Sequence, residues 1–231
     1  MKVTLLDRST FNEINVATAG RRCYSSRDIN DIIDKFSVDD NSTETQVSKL
    51  RDAGHFSTFE HTFYMFHVEG ISRAASHQLV RHRHLSFEQQ SQRYTKVSVD
   101  SDDWYVVPSG LKPNQERAFR NAMLDIAREY TMLLDTGAES EDARAILPNA
   151  CKTSIIVSGN ARAFYEMLTL RTCEAAQTEI KQMGFEMLRQ LKRLSPSLFH
   201  KAGATCVRGY CNEPNGPKCP RYINVTGRKT A

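Results

Sequence analysis

Apolar residues alternate with polar ones in some stretches of this chain and recur every three or four positions in others, and the two periods separate strands from helices. A short first strand is expected at Lys2–Leu6. Residues 19–26, A-G-R-R-C-Y-S-S, are small and polar and read as a connector, and 28–41 are mixed, with no clear period. A helix follows from Ser42, with Val47 and Leu50 three apart and Gly54 placed to end it. The polar run G-H-F-S-T-F-E-H at 54–61 reads as a loop. Aromatic and β-branched side chains then alternate over Thr62–Glu69, a strand that Gly70 ends. Ser72 caps a helix carrying Arg73, His77 and Arg81 at four-residue spacing, which gives it a cationic face.

Tyr94–Val99 reads as a further strand, 101–103 as a turn, and 108–113 as a connector too short and too poor in Ser and Gly for a flexible tether. The longest helix is expected from Asn114 to Thr136, with Phe119, Met123, Ile126, Tyr130 and Leu133 in the core and Gly137 just past its end. Ser140 opens a short helix that Pro148 stops, and consecutive Ile155, Ile156 and Val157 mark a buried strand at Thr153–Val157. Asn160 caps a helix to Leu170. A second, from Ala175 to Leu194, puts Ile180, Met183, Met187 and Leu191 on one side, and from Lys201 the chain is loop-like.

With 231 residues and 40% apolar side chains, the chain is long enough to bury a core. We expect one domain, residues 1–200, and a basic, Cys-containing tail, 201–231. The net charge of +4 is unevenly placed: the tail holds six Lys or Arg against one Glu, whereas residues 1–200 hold 25 basic and 26 acidic groups. That near-neutral body argues against a nucleic-acid-binding module. No apolar run approaches the roughly 20 residues a bilayer requires, and M-K-V-T-L-L-D lacks the apolar core of a secretory signal, so a cytoplasmic protein without a membrane partner is expected. Cys23, Cys151, Cys173, Cys206, Cys211 and Cys219 do not amount to a secreted disulfide framework and read as thiols. Those of the tail leave gaps of four and seven residues, unlike the paired spacing of zinc ribbons.

The chemistry concentrates between Ser76 and Arg93, where three arginines and three histidines fall in 18 positions. Guanidinium forks meet phosphate oxygens two at a time and stay charged, so Arg81, Arg83 and Arg93 point to a phosphorylated ligand. Six of the seven histidines lie between His55 and His84. Imidazole clusters suggest metal, but Arg81 and Arg83 flank His82 and would repel a divalent cation, so no metal is expected there. His61 and His67 read as hydrogen-bonded structural residues. No two glycines stand one residue apart, so the G-x-G-x-x-G of dinucleotide folds is absent, and a flavin would have to be held by side chains and loop amides. Ser91 invites a nucleophile reading, but no Ser-His-Asp arrangement follows from spacing, and hydrogen bonding is the simpler role.

Arg81-His82-Arg83, seven residues, then Ser91 resembles the signature of the flavin-dependent thymidylate synthases. G-H-F-S-T-F-E-H at 54–61, S-R-A-A-S-H-Q-L-V at 72–80, A-R-A-I-L-P at 143–148 and L-R-T-C-E-A-A-Q-T-E-I at 170–180 are similar to blocks of that family, in the same order. The resemblance implies an α+β fold with an antiparallel sheet flanked by helices, a single domain with active sites at the subunit interfaces of a homotetramer. It also implies reductive methylation of dUMP to dTMP, with carbon from 5,10-methylenetetrahydrofolate and electrons from NADPH through non-covalently bound FAD.

Carried over residue by residue, Gln78, Leu79, Val80, Arg81, Gln89, Gln90, Ser91, Gln92, Arg93, Arg144 and Arg171 match positions that hold dUMP. Arg171 is also the catalytic residue, its charge favouring the N3-deprotonated uracil ring. Ser57, Arg81, His82, Arg83, Gln89, Asn160, Ala161, Arg162 and Glu166 match FAD contacts, and His55 falls at the flavin and folate face. Two positions depart from other members: some carry Glu where this chain has Gln89, and Asn where it has Glu166. No cysteine lies inside the site segment, Cys173 being two residues past Arg171, which favours flavin-borne transfer over attack by a thiolate. A flavin protein acting on another nucleotide would share these motifs, and a dUMP-dependent turnover assay separates the two.

Overall fold

In the computed structural model, which describes residues 1–214 and 216–227, strand β1 (Lys2–Arg8) leads into three helices, α1 (Asn12–Arg22), α2 (Ile29–Val38) and α3 (Asp40–Asp52). Strand β2 (Tyr64–Ser72), helix α4 (Arg73–Leu79) and strand β3 (Ser86–Gln89) follow, and then helix α5 (Pro113–Asp135). The chain continues through α6 (Ser140–Ala143), β4 (Lys152–Gly159), α7 (Ala161–Arg171), α8 (Thr178–Leu194), α9 (Pro196–Phe199) and α10 (Pro220–Thr226). The four strands make one antiparallel sheet in the order β1-β2-β4-β3, so the class is α+β.

The two central strands carry the core. Tyr64 pairs with Gly159, Phe66 with Val157 and Val68 with Ile155, which aligns apolar side chains on one face as the two-residue period requires. That face is buried in one cluster with Phe164 of α7 and with Ile180, Met183, Met187 and Leu191 of α8. Phe164 meets Tyr64 and Phe66 edge-on, with ring centroids 6.1 and 5.4 Å apart. The Tyr64 hydroxyl donates to Ser195 Oγ at 2.7 Å, and burial pushes its phenol well above the ordinary tyrosine value. At the end of β4, Asn160 turns the chain and its side chain accepts from the Ala163 amide at 2.9 Å, so the sheet leads directly into α7.

Several elements differ from the expectations. Residues 19–22 belong to α1, and 29–38 to α2. The inward residues of α1 are Asn12, Val16, Ala17 and Gly20, too small and polar to show a helical period, while α2 buries only Ile32 and Phe36. Gly70 does not end β2. It sits at φ +71° in a bulge between Glu69 and Ile71, and the strand runs on to Ser72. Helix α4 stops at Leu79, so Arg81 leaves the helical face it was expected to share with Arg73 and His77. No strand occupies 94–99. The strand in this region, β3, is instead at 86–89, inside the polar signature, where Phe87 alone gave an apolar cue.

Val97 and Val99 pack instead against a second cluster of Trp104, Tyr105, Met123, Ala127 and Cys151, which anchors α5. Within α5, Met123 and Tyr130 are buried as expected, whereas Phe119, Ile126 and Leu133 are only partly so. The tail is not loop-like throughout: Ala202, Ala204 and Cys206 are buried, and α10 follows. All six cysteines are free thiols. No helix among the described residues is long and apolar enough to cross a membrane.

Candidate active site

Helix α7 ends on Arg171, whose half-buried guanidinium is held on two edges. Nε donates to His82 Nε2 at 2.9 Å and Nη2 to the Gln78 carbonyl at 2.8 Å. Among the described residues Nη1 has no partner. Burial lowers the Arg171 pKa from its ordinary value, which marks a position where the charge lacks solvent and an anion is favoured. Helix α8 comes close enough to fix the backbone here: a Cβ on Gly184 would lie 3.0 Å from the Arg171 carbonyl oxygen.

For His82 to accept from Arg171 it must be neutral, with its proton on Nδ1. Burial, and then the Arg171 charge, push its pKa down to about 4, with Glu166 opposing. Because the folded value lies below the unfolded one, near 6.5, the native state favours neutral imidazole, and that stabilisation is lost as pH falls from about 6.5 toward 4. An NMR titration should therefore show His82 as the Nδ1–H tautomer at pH 6, with a midpoint near 4. A midpoint at the ordinary histidine value would remove the contact.

Three cavities share lining residues, and His82, but not Arg171, lines the first of them. The first, about 290 Å³, is lined by Arg81, His82, Arg83, His84, Glu166 and Leu170. A second, about 260 Å³, shares His84 and Glu166 with it and adds Glu60, Asn160 and Arg162. The largest, about 950 Å³, shares Arg162 and Glu166 and reaches His55 and Ser57. Arg162 pairs with Glu60 at 2.7 Å and with Glu166 at 3.1 Å across the middle of this groove. These pairs are half exposed and contribute at most about 1 kcal/mol each, so a ligand opens them at little cost. Ser57, Arg81, His82, Arg83, Asn160, Arg162, Glu166 and His55 thus fall along one groove. Ala161 does not: it is buried, and its amide donates to Thr62 Oγ1 at 2.7 Å.

The residues matched to the nucleotide divide into two groups. Gln78, Leu79, Val80 and Arg81 lie beside Arg171, with Leu79 buried and Val80 and Arg81 exposed. The second group gathers around Glu141, which accepts from Arg93 Nε at 2.6 Å and, through its carbonyl, from Arg144 Nε at 3.1 Å. Ser91 Oγ accepts from the Arg93 amide at 3.2 Å, the Gln90 amide donates to the Ser154 carbonyl, and Gln92 Nε2 donates to Cys151 Sγ at 3.3 Å. Gln89 is turned away from the groove, its amide bonding Ser76 Oγ and Thr153 Oγ1 at 3.0 Å each. Arg93 and Arg144 line none of the three cavities that hold the first group. Burial raises the Cys151 thiol, the opposite of what activates a nucleophile. His67 bonds Ser154 Oγ at 2.6 Å through Nε2, a structural partner on the sheet.

Residues 4–197 match the family model described as thymidylate synthase complementing protein. A flavin-dependent thymidylate synthase of Geobacter sulfurreducens is 43% identical over 97% of this chain and 96% of its own length. The chain belongs to the flavin-dependent thymidylate synthases. A second relative so named, from Sulfolobus acidocaldarius, is 38% identical over 90% of this chain and 78% of its own. Among solved structures, a UMP/dUMP methylase, PolB of Streptomyces cacaoi, bound with 5-Br dUMP, superposes with a TM-score of 0.73 at 26% identity, covering 86% of this chain and 93% of that one.

The groove's donor set fits a phosphate-bearing flavin. It offers Arg81, Arg83 and Arg162 for phosphates, and among the described residues Arg81 and Arg83 pair with no carboxylate. Sequence reasoning missed Glu60 and Glu141, the carboxylates that hold Arg162 and Arg93. Glu60 lay inside a family block, but nothing local marked its partner, because Arg162 is 102 residues away. Glu141 lies in the first turn of α6, where nothing local marks its partner Arg93, 48 residues away.

Proposed function

We propose that this enzyme makes dTMP from dUMP in the cytosol, taking the methyl carbon from 5,10-methylenetetrahydrofolate and reducing equivalents from NADPH through non-covalent FAD. The observation that carries the reading is Arg171, fixed by the Gln78 carbonyl and by His82, which itself lines the arginine-rich cavity, while Nη1 has no partner among the described residues. FAD, when bound, supplies the hydride chemistry that the side chains lack. Ser57, Arg81, His82, Arg83, Asn160, Arg162 and Glu166 would hold it, and His55 would face the folate. A uracil ring against Arg171 loses its N3 proton more readily, because the nearby charge stabilises the anion in a poorly solvated place. Neutral His82 keeps the guanidinium oriented without adding a competing charge.

Within one chain the arginines around Glu141 and those around His82 form separate clusters. This supports a homotetramer in which Arg93, Arg144 and Ser91 of one subunit grip the phosphate of a nucleotide whose base lies against Arg171 of another. Residues 1–200 would form the catalytic domain. The test is spectroscopic and catalytic together. Purified protein should show flavin absorption between about 350 and 500 nm, bleach with NADPH under anaerobic conditions, and form dTMP only when dUMP and the folate are both present. Protein unable to take up FAD, or turnover independent of dUMP, would overturn the reading.

A further inference from the structure

The largest cavity has a wall that the catalytic domain does not supply. Its lining includes Lys201, Val207, Arg208 and Tyr210, which lie beyond the residues matched by the family model. This wall is built rather than draped. Arg208 donates to the Gly203 carbonyl at 3.2 Å and to Thr169 Oγ1 of α7 at 3.3 Å. Its guanidinium lies over the rings of both Tyr165 and Tyr210, at 5.4 and 5.7 Å. The Ala204 amide donates to Thr172 Oγ1 at 2.8 Å, tying the segment to the residue after Arg171.

What the wall presents is an aromatic face and a loosely held cation. Tyr210 leaves 47% of its surface exposed, against a guanidinium that fixes its ring. Lys201 reaches Asp52 at 3.0 Å, and both side chains remain nearly half exposed, so the pair is weak and an entering anion can take the ammonium. Arg51 beside them is committed: its head is buried and donates to the Ser197 carbonyl and to Asp52. Arg51, Arg162, Lys201 and Arg208 face only Asp52 and Glu166 among the carboxylates of the lining, which leaves the cavity cationic.

We propose that the segment from Lys201 to Tyr210 makes this cavity a recognition site for a co-substrate that joins an aromatic ring to an anionic end. Tyr210 covers the ring and Lys201 meets the carboxylate or phosphate. The proposal rests on the function argued above, which requires two such molecules: the folate, with its glutamyl carboxylates, and the nicotinamide dinucleotide, with its phosphates.

The experiment compares the flavin-loaded wild-type protein with Lys201→Ala and Tyr210→Ala. Calorimetry measures binding of NADP⁺ and of folates bearing one or five γ-linked glutamates, and steady-state assays give KM for each co-substrate and for dUMP. Either variant should weaken one co-substrate by about tenfold, the loss expected for one charge-assisted contact at Lys201 or one ring contact at Tyr210. Flavin absorbance, KM for dUMP and the melting temperature should stay at wild-type values. If the folate is affected, and the preference for five glutamates over one disappears in Lys201→Ala, the anionic end is the glutamyl chain. If NADP⁺ alone is affected, it is the phosphate. Unchanged binding of both would overturn the proposal, as would loss of flavin with the variant. Wild-type protein that binds these probes but forms no dTMP would instead remove the proposed function and leave the site standing.

Discussion

Replacing Arg171 with alanine is expected to lower dTMP formation by about 10²- to 10³-fold, the usual consequence of removing one group aimed at developing charge. Flavin absorbance should be retained, because the groove contacts of Ser57, Arg81, Arg83 and Arg162 do not depend on this side chain. The side chain occupies the last position of α7, and truncating it leaves the buried part of that helix intact. Arg171→Lys should also fall well below wild type. A lysine presents one ammonium and cannot reach His82, the Gln78 carbonyl and a uracil edge together in the planar geometry that a guanidinium spans. Rates of dTMP formation at saturating dUMP check this, and an alanine variant within a fewfold of wild type would remove Arg171 from its role. The His82 contact adds a pH signature: the arrangement should hold across pH 6–8 and weaken only as pH drops toward about 4, where the imidazole gains a proton and stops accepting.

How much of this was legible in the sequence depended on where each signal was stored. Strand β4 and helix α8 announced themselves through Ile155, Val157, Met183 and Leu191, because burial on one face leaves a period in the sequence, and α7 through its Asn160 cap. Helix α1 did not, since Gly20 sits where a Cβ would strike Leu50, and the close approach of α3 selects for absence of a side chain. Strand β3 was hidden for a different reason: it is four residues long, lies at the sheet edge and has no fully buried residue, only Phe87 and Gln89 being partly covered. The motif blocks named the candidate residues, and the fold shows which of them meet. His82 and Arg171 are 89 positions apart and touch only because α7 runs back beneath the sheet toward the end of α4. The division between the Glu141 and His82 clusters is likewise a property of the folded chain, with no trace in local spacing.

Helix α7 can hold Arg171 in place only as firmly as the sheet holds α7, and Phe164 is the α7 ring that meets two aromatic rings of β2. Phe164→Ala is expected to lower the unfolding free energy by about 3–5 kcal/mol, the cost of deleting a buried aromatic ring and leaving a cavity that the core fills poorly. Native proteins have about 5–15 kcal/mol in total, so this one change removes a large share. The ring is fully buried and contacts both Tyr64 and Phe66 edge-on, so its loss removes two aromatic contacts as well as apolar burial. Urea unfolding at equal, saturating flavin should show a lower midpoint with an unchanged slope, since flavin stabilises both proteins by mass action. Leu124→Ala serves as the comparison. Leu124 is 46% exposed on α5, away from the central sheet, and its truncation should stay within about 0.5 kcal/mol. A Phe164→Ala loss no larger than that of Leu124→Ala would show that α7 is held by something other than the aromatic contacts under β2, and the placement of Arg171 would then need another support.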